Sequence, residues 1–271
     1  MDLKIALIGY AGAAAAFAIL TVLLLTVWRE RVRGSLLTVA CFVTVLWAAS
    51  LVEASLRVDV STTRVFLTEI IHDTVWLFCL SSLLGGAVAV KSNWLVRRGG
   101  SVLGLVLLVA GVLLAVTGLD ARYPGAMSQL LVLGSIGTAL YALVGIEQLY
   151  RNARPQQQNA LKFLCLGLAG IFAYDLFLYS NVVVDGQIRT VFWGARGYVV
   201  TLCVPLLAVS IQRIPSWHRG IFASRQVVFY TTTLVAAGFY LTLIGFAGYY
   251  IQTLGREWGD ALRERWEQID G

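Results

Sequence analysis

Charge is the scarcest commodity in this chain. Only 13% of its residues are charged, about half the share found in ordinary soluble domains. Proline is rare as well, 4 in 271 residues, so long stretches run without a helix breaker. Cysteine occurs 4 times and forms no CxxC pair, which removes a zinc site or a redox motif of that kind. The two histidines are expected on opposite sides of the membrane, His72 near the outer end of the third apolar run and His218 in a cytoplasmic turn, so a bis-histidine haem has no second ligand at the same depth. No lysine falls in the middle of an apolar run, which argues against a retinal Schiff base. Strict apolar–polar alternation is missing too, and with it the pattern of a lipid-embedded barrel strand.

What remains is apolar: 58% of the residues are hydrophobic. They are gathered into runs at roughly 3–28, 35–56, 65–90, 101–119, 128–150, 160–183, 191–212 and 227–252. A helix rising 1.5 Å per residue needs about 20 residues to cross a hydrocarbon core of about 30 Å, and each run is long enough. The expected fold is an all-α, polytopic transmembrane helical bundle of about eight spanning helices, occupying 1–252. The first run is too long for a signal peptide and lacks a basic leader and a clean cleavage site, so it is expected to stay. Residues 253–271 read as an amphipathic tail. Trp258, Leu262 and Trp266 recur every fourth residue, so the tail either lies flat in the interface or links to a further span.

Basic residues set the orientation. The first, third, fifth and seventh turns hold Arg29, Arg31, Arg33; Lys91, Arg97, Arg98; Arg151, Arg154, Lys162; and Arg213, Arg219, Arg225. The alternate turns hold only Arg57 and Arg64, then Arg122, then Arg189. The N-terminus is expected outside and the four basic turns in the cytoplasm. The net charge of +6 is then a topology signal and a contact for anionic lipid, which points to the bilayer as partner and not to nucleic acid.

Ionisable groups inside spans are costly and mark functional candidates. Glu53 lies near the outer end of the second run. Glu69, His72 and Asp73 lie in the first turns of the third, and Trp76 continues the same helical face. Asp175 and Arg196, on the sixth and seventh runs, come to similar depth if those helices are antiparallel neighbours. They read as an ion pair that fixes register, or as part of an outward, water-filled ligand or signal pocket with Glu53, Glu69, His72, Asp73 and Trp76. Histidine is the side chain that ordinarily changes charge near neutral pH, which makes His72 the natural sensor of protons in that group. Glu147 alone lies near a cytoplasmic end, so no ladder of acids leads through the bundle. Cys41, Cys79, Cys165 and Cys203 read as small packing residues. Cys79 is two turns, about 10 Å along the axis, from His72, too far for a nucleophile–base pair, so no catalytic residue, cofactor or metal is expected.

The second half of the chain resembles a known family. GIEQLYRNARPQQQNALKFLCLGLAGIFAYDLFLYSNVV (145–183) and WGARGYVVTLCVPLLAVSIQRIPSWHRGIFASRQVVFYTTTLVAAGFYLTLIGFAGYYI (193–251) are similar to the membrane region of the PEP-CTERM system histidine kinases, the PrsK family. The most specific pieces are EQLYRN (147–152), AYDLFLYS (173–180), ARG (195–197), VPLLAV (204–209) and IFASR (221–225). The first half follows the family only in its helix pattern. The resemblance implies the membrane-embedded sensor half of a bacterial inner-membrane kinase linked to exosortase and exopolysaccharide systems. It further implies homodimerisation through a kinase region and signalling to a response regulator. The chain departs from the family in having no phosphoacceptor-histidine helix and no glycine-rich ATP lid; it is expected to be the input half or a stand-alone relative of it. The competing expectation is a polytopic transporter or lipid-binding membrane protein.

Overall fold

The computed structural model describes residues 2–27, 32–56, 62–87, 94–117, 125–153 and 155–213. All of them belong to one compact unit, Met1–Ser224. The run expected at 227–252 and the tail 253–271 lie outside the described residues, as does His218.

The described residues form seven α-helices: α1 (Asp2–Val27), α2 (Val32–Leu56), α3 (Thr62–Ala87), α4 (Trp94–Thr117), α5 (Ala126–Arg151), α6 (Pro155–Asp185) and α7 (Thr190–Arg213). All seven are long and apolar enough to cross a membrane. The chain is therefore a multi-pass helical bundle, and the first seven expected runs coincide with these helices to within a few residues at most ends.

Local chemistry explains several boundaries. Pro155 opens α6 at the first helical position, where its fixed φ suits the helix and its missing N–H would have had no intrahelical partner. Gly186 closes the same helix in the left-handed region, at φ 71°. Its amide donates to the Val182 carbonyl at 2.9 Å, which satisfies one carbonyl that the helix end would leave open.

The helices form a ring. α1 packs on α2, α2 on α3, α3 on α5, α5 on α6, α6 on α7, and α7 closes back on α1. α4 stands outside the ring against α3 and α5, and its Leu105, Val106, Val109, Leu113 and Val116 are exposed. Exposed Leu25, Phe42, Leu46 and Phe78 on other helices continue that apolar exterior, the surface a helix offers to lipid. Closure between α1 and α7 depends on close backbone approach. A Cβ built at Gly197 would lie 2.4 Å from the Gly9 carbonyl carbon and 2.6 Å from the Tyr10 amide, so only glycine fits at that crossing.

Candidate functional site

Arg196 occupies the centre of the ring and is 1% exposed. Its Nη1 donates to both oxygens of Glu69, at 2.7 and 2.8 Å. Its Nε donates to Asp175 Oδ1 at 2.5 Å. One guanidinium on α7 thus binds carboxylates from α3 and α6, using the planar donor fork that distinguishes arginine from lysine.

Aromatic side chains wall this group in. The Trp47 ring lies 4.8 Å from Arg196 Cζ, and the rings of Tyr179 and Trp193 lie at 5.8 Å. These are cation–π distances, and the attraction strengthens where water is excluded. Trp47 also donates its indole N–H to Glu69 Oε1 at 2.9 Å. Tyr10, on α1, meets the Trp47 ring edge-on with centroids 5.6 Å apart and donates its hydroxyl to the Trp193 carbonyl at 2.7 Å. Five helices, α1, α2, α3, α6 and α7, therefore meet at one polar centre.

A second branch runs to α5. His72 stacks on Trp47 with ring centroids 4.6 Å apart and 21° between planes. Its Nδ1 lies 3.1 Å from Asp73 Oδ1. Asp73 Oδ2 accepts from the Thr138 hydroxyl at 3.0 Å, and that hydroxyl also lies 3.0 Å from the Ser135 carbonyl. A hydroxyl has one proton, so the two acceptors share or compete for it. One turn further along α3, Trp76 donates its N–H to Thr44 Oγ1 at 3.0 Å, and Thr44 donates to the Ala40 carbonyl at 2.8 Å.

Three polar atoms in this centre are buried and have no hydrogen-bond partner among the described residues: Arg196 Nη2, Asp175 Oδ2 and the Tyr179 hydroxyl. Buried polar atoms are nearly always paired, so three unpaired atoms around one guanidinium mark this centre out among the described residues.

Most of the candidates come together. Glu69, His72, Asp73, Asp175 and Arg196 form one connected group, with Trp76 beside it on the same face of α3. The expected Asp175–Arg196 pair is present. Two features differ from expectation. Glu53 is not in the group: it pairs with Arg64 at 3.5 Å, with side chains 45% and 53% exposed. The helix turn explains this, because six residues on from inward-facing Trp47 is about 240° around the axis. The second difference is water. An open, water-filled pocket was expected, yet Glu69, His72, Asp73, Asp175 and Arg196 are each 0–3% exposed, because Trp47, Tyr10, Tyr179 and Thr138 close over them.

Those four closing residues were not legible in advance. Tyr10, Trp47 and Tyr179 look like ordinary apolar-run aromatics, and Thr138 like a small packing residue. Their roles come from contacts between helices, for which the sequence carries no local signal. The four cysteines are free and buried, in keeping with packing roles. No family model matches the chain, nor does any curated protein or solved structure.

Proposed function

We propose that this chain is the membrane-embedded sensor module of a bacterial signalling kinase of the PEP-CTERM type. In this reading the cluster around Arg196 is the element that changes state. The N-terminus faces the outside of the inner membrane and the four basic turns face the cytoplasm. The kinase core, its dimer partner and the response regulator act through the full-length protein.

The observation that carries the reading is the cluster itself. It ties five of the ring's six helices to one guanidinium. Formally it sets the carboxylates of Glu69, Asp73 and Asp175 against Arg196, with His72 the other group able to carry positive charge. A buried ionic group adds little stability compared with an apolar core of the same volume. Such a group is better suited to hold helices in one of two arrangements, since a change of charge or contact there must repack several helices at once.

A transport path would need polar groups leading to both faces in turn. Among the described residues, the buried polar side chains toward the opposite end of the bundle are hydroxyls such as Thr21, Thr38 and Ser210, which favours sensing over transport.

The test uses a full-length kinase carrying this region. His72→Ala with Asp73→Asn, and separately Glu69→Gln, should alter reporter output without altering the amount of kinase in the membrane. Unchanged output across external pH and inducers would reduce the cluster to a structural brace.

A further inference from the structure

The end of the bundle that carries the N-terminus of α1 holds a cleft of about 1130 Å³. That is slightly above the range for small-molecule pockets, about 300–1,000 Å³. Leu51, Val65, Leu131 and Trp193 line its apolar walls. Gln129 and Gln187 also line it, and both are exposed. None of the charged residues of the Arg196 cluster lines it, so it is a separate site.

Its chemistry selects an occupant. Among the described residues, no charged side chain lines it. Among the described residues at the same end of the bundle, Arg189 is matched with Asp185 at 2.6 Å and Arg64 with Glu53 at 3.5 Å, so these four charges answer one another. A charged headgroup would lose hydration here without gaining an opposite charge. A wholly polar solute would leave part of its hydrogen-bonding surface against Leu51, Val65, Leu131 and Val132. A molecule with an aliphatic chain and an uncharged hydroxyl, ester or amide head suits both parts: the chain lies along the apolar walls and the head meets the carboxamides of Gln129 and Gln187.

Trp193 connects the cleft to the cluster. It lines the cleft, its carbonyl accepts the Tyr10 hydroxyl, and its ring lies 5.8 Å from Arg196 Cζ. We propose that the cleft binds a neutral single-chain membrane amphiphile of the monoacylglycerol type, and that occupancy acts on the Arg196 cluster through Trp193. The second half of that statement rests on the sensor reading; the first does not.

The test is photolabelling of the full chain in lipid nanodiscs with a diazirine-bearing monoacylglycerol, mapped by mass spectrometry. Adducts are expected at 128–133 and 182–193. Excess unlabelled monoolein should reduce them about tenfold, and oleate or lysophosphatidylglycerol at the same concentration should compete far less. Ala54→Trp and Val183→Trp, which fill the cleft from residues that are not fully buried, should each cut labelling several-fold while leaving helix content and melting unchanged. Adducts spread over the exposed face of α4 and insensitive to both variants would overturn the site, as would equal competition by the anionic lipids. Loss of the site in this way leaves the sensor reading standing. Specific labelling with kinase output unchanged at saturating monoolein would overturn the link to the cluster, while the site itself remains and the sensor reading stands or falls on the Glu69, His72 and Asp73 variants.

Discussion

Arg196 is the residue whose loss should cost most. It holds two carboxylates, so Arg196→Gln leaves Glu69 and Asp175 buried against each other without their shared cation. Breaking a buried ion pair by removing one partner costs about 3–5 kcal/mol. Asp175→Asn should cost less, because the guanidinium keeps both contacts to Glu69. The order is measurable as thermal melting in detergent: Arg196→Gln lowest, Asp175→Asn intermediate. Adding Glu69→Gln and Asp175→Asn to Arg196→Gln should recover much of the loss, since no unpaired carboxylate then remains at the hub. A triple variant no more stable than Arg196→Gln alone would mean that charge pairing is not what holds the site together. Trp47 gives a finer test. Trp47→Phe keeps a ring against His72 and Tyr10 but removes the N–H donated to Glu69. Hydrogen bonds to charged groups contribute about 1.5–3 kcal/mol, and a drop of that order in unfolding free energy is the expected result.

Among the elements, α1 and α7 make the crossing with the least room. Gly197→Ala puts a methyl group within 2.4 Å of backbone in α1. Backbone cannot rotate aside as a side chain can, so the two helices must part. Their separation would pull Tyr10 from the Trp193 carbonyl. The matched control is Gly137→Ala on α5, where the nearest atom to a new Cβ, a Leu103 methyl, is 4.0 Å away. Gly197→Ala should lower the melting temperature and the yield of folded protein, while Gly137→Ala should leave both near wild type or slightly raised, since alanine is the better helix former. Equal effects from the two would remove the tight crossing as a determinant of the ring. The outlying position of α4 also belongs to this scale. Its apolar run is the shortest of the seven, at 19 residues, yet still long enough to span, and length alone does not say that it packs on two helices and leaves a broad face to lipid.

At the scale of the whole molecule, orientation is the property most directly tested. Gln187 is exposed between α6 and α7, and Arg151 is exposed at the opposite end of α5. The native cysteines are all buried, so added thiols report cleanly. With an outside N-terminus, Gln187→Cys should react with a membrane-impermeant maleimide in intact cells, and Arg151→Cys only after permeabilisation. The reverse pattern would invert the topology and place the apolar cleft on the cytoplasmic side.

Length and composition alone determined that this is a helical membrane protein and where its first seven spans lie. The reason is that a bilayer imposes its thickness on every span, and hydrogen bonding in lipid leaves the helix as the outcome for runs of this kind. The sequence also determined most of the central polar group, because ionisable residues are so rare in such runs that Glu69, His72, Asp73, Asp175 and Arg196 stand out one by one. Adjacent antiparallel spans made Asp175 and Arg196 neighbours by simple rise per residue. The tertiary structure alone decided the remainder. It brought Glu69 of α3 to Arg196 across 127 positions of sequence, turned Glu53 outward to Arg64, sealed the cluster from water with Trp47, Tyr10, Tyr179 and Thr138, and opened a separate apolar cleft above Trp193. None of these follows from hydropathy, because periodicity fixes which residues share one helix face, whereas helix packing fixes which faces meet.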